Sequence, residues 1–171
     1  MNFEKAFERL IGHESGYSTD QNDPGNWTGG KVGKGIFKGT KYGIAANTYP
    51  NLDIKNLTIE QAKAIYKKDW WDKLGADQLN PAIVYQLWDF AVNAGKSRAI
   101  KELQQAVGVP DDGIIGPKTI AAVKAKDVND ALLLLVSERL RFYTSLPTWS
   151  KFGKGWTNRV ADNLKYAAED N

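Results

Sequence analysis

Two carboxylates nine residues apart, Glu14 and Asp23, carry the first chemical signal in this 171-residue sequence. Phe3, Phe7 and Leu10 recur at the spacing of one helix face, with Ala6 and Ile11 beside them. Glu14 comes four residues after Leu10 and continues that face. Gly16 and the Ser18-Thr19-Asp20 run are stop and turn signals. The pattern predicts a helix that points apolar side chains into a core and ends on a carboxyl at the core's rim. Partial burial disfavours the charged form of such a group. A carboxyl that keeps its proton near neutral pH can act as a general acid. Asp23, in Asp23-Pro24-Gly25, is the next candidate, with Asp20 close by. A helix ending in one acid and a turn bearing another can set two carboxyls across a cleft. Glycoside hydrolysis uses such a pair, one protonated to assist the leaving group and one ionised as base, nucleophile or charge stabiliser. The plainer readings are a solvated helix-end glutamate and a turn aspartate bonded to its own backbone.

Other chemistries are poorly supplied. The chain has no cysteine, which excludes a disulfide framework, a thiol nucleophile and a Cys-based zinc site. Its single histidine, His13, argues against a His-built metal site, so neither a metal nor another cofactor is expected. On a helix His13 lies about 100° around from Glu14, a place for solvent or a local partner rather than for the reaction. A net charge of +3 suits an anionic polymer such as a bacterial wall, but it is no nucleic-acid signature, and none is expected as partner. The N-terminus MNFEKAFERL has charges inside its apolar pattern and is no secretory signal. The longest aliphatic run, Ala131 to Val136, is too short to span a bilayer. A monomer made in the cytoplasm is expected.

The elements that must position these groups are mostly helical. Residues 20–51 read as a long loop-rich region, whose aromatics Trp27, Phe37, Tyr42 and Tyr49 argue against disorder. Short extended pieces around Val32, Ile36-Phe37 and Lys41 to Ile44 could pair as a small hairpin. Thr58-Ile59-Glu60-Gln61 is a capping box, followed by a stripe of Ala62, Ile65, Tyr66, Asp69 and Trp70 that predicts a helix to Leu74-Gly75. Asn80-Pro81 starts the next, with Val84, Leu87, Trp88, Ala91 and Val92 on one stripe and Asn93-Ala94-Gly95 as its end. Ser97 can cap a following helix that stops at Gly108. Pro117 starts a short helix to about residue 125, Asp127 caps one from Val128 to about Ser145, and Trp149, Phe152, Trp156, Val160 and Leu164 mark a last amphipathic helix. The class is all-α with one loop-rich or small β insertion near the start.

The run His13-Glu14-Ser15-Gly16-Tyr17, then Asp23-Pro24-Gly25, then Thr40-Lys41-Tyr42-Gly43-Ile44 resembles the glycoside hydrolase family 108 muramidases. Downstream, Trp88-Asp89-Phe90-Ala91-Val92-Asn93-Ala94-Gly95, Leu103-Gln104-Gln105-Ala106 and Asp112-Gly113-Ile114-Ile115-Gly116-Pro117-Lys118-Thr119 are similar to the predicted peptidoglycan-binding region of that family. The resemblance implies a lysozyme-like helical fold, with residues 1–92 catalytic and residues 93–171 peptidoglycan-binding. It implies hydrolysis of the β-1,4 bond between N-acetylmuramic acid and N-acetylglucosamine, with Glu14 as the acid. The set Glu14, Asp23 and Thr40 also resembles that of phage lysozymes of the T4 type, in which the Asp and Thr position or activate water. This chain departs in having Ser15 where the family has Gly, and in inserting residues 26–39 between the Asp-Pro-Gly turn and Thr40.

Tyr17, Tyr42 and Trp88 are candidates to stack on sugars, although the helical spacing of Trp88 points first to a core residue. Asn93 can cap its helix or hydrogen-bond an acetamido group. Lys31, Lys34, Lys38 and Lys41 read either as a solvated loop or as contacts to an anionic envelope or membrane, and the aromatic last helix with Lys151, Lys154 and Arg159 as core packing or an interfacial face. The expected role is a phage endolysin held in the host cytoplasm until a separate pore-forming partner releases it to the wall. The alternatives are a lytic transglycosylase leaving 1,6-anhydro ends, and a non-catalytic or secretion-associated peptidoglycan-binding protein.

Overall fold

The computed structural model describes residues 1–12 and 16–171. The readings placed on His13, Glu14 and Ser15 therefore lie outside the described residues. Regular structure among the described residues is mainly α, with one small antiparallel sheet near the N-terminus. The chain divides into two compact units, Glu4–Lys68 and Met1–Phe3 with Asp69–Asn171.

In the first unit, α1 (Phe3–Ile11) forms as its apolar spacing predicts, and Ala6, Phe7 and Leu10 are buried. Phe7 packs against Tyr66 with ring centroids 6.0 Å apart. Lys63 pairs with Glu4 and lies over the Phe7 ring. Three two-residue strands, β1 (Tyr17–Ser18), β2 (Thr40–Lys41) and β3 (Ile44–Ala45), pair in chain order. Tyr17 faces Lys41 and Ser18 faces Thr40, while Lys41 faces Ile44. The turn between β2 and β3 is Tyr42-Gly43, with φ of 51° and 74°. Positive φ at both central residues is what a tight hairpin turn with the strands' own twist requires. Tyr42 tolerates it because its backbone is tied at both ends: its N–H donates to the Gly16 carbonyl at 3.2 Å, and its carbonyl accepts from the Tyr66 hydroxyl at 2.9 Å. The expected hairpin is thus present at residues 40–45, but the pieces around Val32 and Ile36-Phe37 form no strand. They contribute one isolated bridge, Trp27 to Phe37. α2 (Ile59–Tyr66) carries the full reciprocal capping box between Thr58 and Gln61.

Beyond α2 the expected single helix breaks up. A π-helical turn, Lys67–Trp71, is followed by 3-10 turns Asp72–Leu74 and Ala76–Gln78, with Gly75 left-handed between them. The π turn shifts the helical register, and Trp71 rather than Trp70 becomes the buried ring. Trp71 packs edge-on against Phe3 and Trp88 and donates its indole N–H to Asp77 at 2.8 Å. Trp70 instead stays half-buried under the Lys96 ammonium.

The second unit is built round α3 (Pro81–Ala94), capped by Asn80 as its Asn-Pro start predicts. Every residue from Ala82 to Ala91 is buried, so α3 is the central helix and not a surface one. It is packed by α4 (Lys96–Val107), α6 (Val128–Ser145) and α7 (Trp149–Asp170), while α5 (Pro117–Ala125) packs on α4 and α6. One boundary differs from the sequence reading. α4 begins after Gly95, whose φ is 94°, and Ser97 lies inside the helix rather than capping it. Within this unit α3 shares its core with α4, α6 and α7.

Candidate active site

The acid-bearing loop of the first unit is locked by its own backbone. Asp20 accepts the Asn22 N–H at 2.9 Å. Asp23 accepts the Gly25 N–H at 2.8 Å and caps the 3-10 turn Pro24–Asn26, as an Asp-Pro-Gly sequence dictates. Both carboxylates are exposed and each keeps one oxygen outside these turn bonds.

The residue that joins this loop to the sheet is Asn26, which is fully buried. Its amide nitrogen donates to the Asp20 carbonyl at 2.8 Å and to the Ser18 hydroxyl at 3.4 Å. Its side-chain oxygen accepts from the Thr40 hydroxyl at 2.6 Å. Its backbone carbonyl accepts from the N–H groups of Lys38 and Gly39. Thr40 has therefore spent its only proton on Asn26, and its oxygen can meet a further partner, such as water, only as an acceptor. Sequence reasoning passed over Asn26 because it heads the inserted segment.

That insertion folds back on itself. Thr28 N–H donates to Ile36 O at 3.0 Å and Gly29 N–H to Lys34 O at 3.1 Å, and the Trp27 and Phe37 rings lie 5.3 Å apart. Its ends meet at Asn26 and Gly39, so Thr40 returns to the acid loop despite the extra residues. Lys38 and Lys41 are used structurally here. Their ammonium groups donate to the carbonyls of Pro50 at 2.7 Å and Lys55 at 3.0 Å. Lys31 and Lys34 are exposed.

Tyr17 is exposed, and its hydroxyl donates to the Lys38 carbonyl at 3.1 Å. It lines a cleft of about 300 Å³ with Phe37, Lys38, Asn51, Asp53 and Lys55. Aromatic faces beside amide, carboxylate and ammonium groups are what a sugar chain can use. Hydrogen bonds from the Asn56 side chain and backbone hold the Asp53 carboxyl below the usual carboxylate range, with Lys38 and Lys55 adding to the effect. Tyr42 is half-buried, with the Lys41 ammonium 5.4 Å from its ring centre.

The other two candidates belong to the second unit. Trp88 is fully buried, its ring edge-packed against Phe3, Trp71 and Tyr85. This corrects its reading as a sugar platform, since a ring with no exposed face has none to offer. Asn93 is exposed at the end of α3, and its side-chain oxygen accepts from the Tyr143 hydroxyl at 2.6 Å.

Next to Trp88, Asp89 is fully buried and heavily bonded. It accepts from Arg139 Nη2 at 2.7 Å, Arg159 Nη2 at 2.8 Å and Asn163 Nδ2 at 2.6 Å. Burial alone would push its pKa up. The charges of Arg139 and then Arg159, with their hydrogen bonds, outweigh burial and lower it from 3.8 to about 2.

The Asp112 to Thr119 motif is held by one buried amide, Gln104. It donates to Asp112 Oδ1, the Ile114 carbonyl and Thr119 Oγ1, and accepts from Gly113 N–H at 2.9 Å. The aromatics of α7 turn largely inward: Trp156 stacks on Tyr143 with centroids 5.0 Å apart, while Phe152 stays exposed. Among the described residues no group of three or more acidic, His or Cys side chains gathers as a metal site would require.

Residues 7–95 match the family model described as Glycosyl hydrolase 108, and residues 98–161 match one described as Predicted Peptidoglycan domain. The chain is also similar to the solved structure of Brucella abortus SagA. The two share 34% identity at a TM-score of 0.85, over 98% of this chain and 94% of that one. No curated protein matches it.

Proposed function

The chain belongs to the glycosyl hydrolase 108 family and is a glycoside hydrolase acting on peptidoglycan, and from that premise we propose that it is a muramidase in which Glu14 is the general acid. The observation that carries the reading is the pair of consecutive family matches, a hydrolase span over residues 7–95 and a peptidoglycan span over residues 98–161. Glu14, inside the first span, protonates the bridging oxygen between N-acetylmuramic acid and N-acetylglucosamine as the bond to the muramic C1 breaks. Positive charge builds on the ring carbon and oxygen, and a second carboxylate offsets it or takes a proton from the attacking water. Asp23 is our first choice for that carboxylate and Asp20 our second. Thr40, whose proton is committed to Asn26, accepts a hydrogen bond from the water and orients it. Tyr17 and the cleft beside it hold a neighbouring sugar.

We further propose a phage endolysin, kept in the host cytoplasm until a separate pore-forming partner releases it. Similarity to a protein of Brucella abortus favours a second reading, a bacterial enzyme acting on the wall of its own cell. No described helix is long and apolar enough to cross a membrane.

The test is clearance of peptidoglycan suspensions by wild type, Glu14→Gln, Asp23→Asn and Asp20→Asn, with reduced products read by mass spectrometry. Wild type should leave reducible muramic ends, and Glu14→Gln should be folded and at least about 100-fold slower, the scale of general acid catalysis. Of the two aspartate variants, Asp23→Asn should be the slower. Anhydro ends would move the reaction to the transglycosylase class. Full activity in Glu14→Gln would remove the proposed acid.

A further inference from the structure

Asn93 ends a hydrogen-bond chain whose proton directions are fixed by chemistry. Arg139 Nε lies 2.9 Å from the Tyr143 hydroxyl, and a guanidinium only donates. The Tyr143 oxygen therefore accepts that bond, and its own proton goes to Asn93, 2.6 Å away. The atom that Asn93 turns to Tyr143 is its carbonyl oxygen, the acceptor of that proton. Its amide nitrogen is left as a pure donor at an exposed position, with no other hydrogen bond among the described residues. The base of the chain is rigid. Arg139 is buried, is held at Nη2 by Asp89, and lies against the Phe90 and Tyr143 rings. The Tyr143 hydroxyl serves the fold by accepting from the buried Arg139 and tying α6 to α3, and in doing so it leaves the Asn93 N–H groups turned away from it.

A fixed neutral N–H donor suits a neutral carbonyl acceptor. An anionic acceptor calls for a cation, and the neighbouring cations are engaged elsewhere: Lys96 donates to the Asp69 carbonyl at 2.6 Å, and Arg98 to Glu102 at 3.0 Å. In peptidoglycan the neutral acceptor repeated on every sugar is the acetamido carbonyl. We propose that Tyr143, held by the buried Asp89–Arg139 pair, sets the Asn93 amide as donor to an acetamido carbonyl, so that Asn93 distinguishes N-acetylated from N-deacetylated glycan. Asp89, Arg139 and Tyr143 are positioning residues in this scheme, and it rests on the peptidoglycan reading above.

The experiment compares kcat/KM on one wall preparation after N-deacetylation and after re-acetylation with acetic anhydride. Binding of the two walls by Glu14→Gln is measured in parallel, so a failed reaction and a failed contact are told apart. Wild type should prefer the acetylated wall by about fivefold, the worth of one hydrogen bond of roughly 1 kcal/mol. Asn93→Asp keeps an acceptor for Tyr143 but replaces the donors with an anionic oxygen. It should reverse the preference, because the free amines of the deacetylated wall are cationic. Tyr143→Phe keeps the ring and frees the amide to flip; it should cut the preference about threefold through KM with kcat unchanged. Asn93→Ala should abolish the preference without reversing it. An acetyl preference equal to that of wild type in both Asn93 variants, in rate and in binding, overturns the proposal.

Discussion

The substitution Asp89→Asn probes the ion cluster at the centre of the second unit. It leaves Arg139, buried and with its Nη1 already lacking a hydrogen-bond partner, without its counter-charge. Breaking a buried pair from one side costs about 3–5 kcal/mol. The structure supplies a second, independent figure. The Asp89 pKa falls from 3.8 to about 2 on folding, and a shift of that size is worth roughly 2–3 kcal/mol. The folded value is the depressed one, so this stabilisation is fully present above pH 4 and is lost as pH falls toward 2. By linkage, wild type should lose about 1 kcal/mol by pH 3 and about 2 kcal/mol by pH 2 through this group alone. Asparagine cannot titrate, so the variant lacks that component. The gap between the two proteins, read by urea unfolding at fixed temperature, should therefore be about 3–5 kcal/mol at pH 7 and should shrink by about 2 kcal/mol at pH 2. A gap under about 1 kcal/mol at pH 7, or one that stays constant with pH, would refute the claim that Asp89 is an ionised anchor.

Two further substitutions test the first unit. Asn26→Ala removes the acceptor of the Thr40 proton and the donor to the Asp20 carbonyl; it should cost about 1–3 kcal/mol in urea unfolding. In a double-mutant cycle with Thr40→Val it should couple by about 1 kcal/mol, and additive effects would break the link between them. Gly39→Ala forces a side chain onto a residue at φ 78°, with its Cβ 2.5 Å from the Ser18 carbonyl oxygen; it should lower the thermal midpoint by several degrees, and an unchanged midpoint would mean that β1 and β2 are not held as described.

The helical frame was legible because each helix states its own ends. Thr58 and Gln61, Asn80 and Pro81, Pro117, and Asp127 all begin helices where capping chemistry puts them. The misses share a cause, which is that they depend on groups far away in the chain. The π turn at Lys67–Trp71 exists because Trp71 finds Phe3 and Trp88. Strand β1 exists because the insertion returns Thr40 and Lys41 to it. Of the proposed site, the Asp-Pro-Gly turn could be named from residue type and order and Thr40 from the family resemblance, whereas Asn26 could not, since its role appears only when the five groups it bonds are in place. Loop length was a poor guide for a physical reason: closing a longer loop costs little extra entropy, so fourteen inserted residues need not part the groups at their ends.

The segment Trp88 to Asn93 shows why a recognisable motif is not a set of like roles. Its residues sit on one helix but answer to different demands. Trp88 fills the core with Phe3 and Trp71, and a smaller ring there would leave a cavity. Asp89 is held by two arginines and an asparagine from α6 and α7, so it fixes those helices against α3. Asn93, just past the buried stretch, is the first of the three to reach solvent, and it does so with its amide oriented from below by Tyr143. Reading all three as sugar contacts, or all three as core, would each be wrong. Packing explains the first, electrostatics the second, and only the third has a hydrogen-bonding group turned outward that the fold itself does not use.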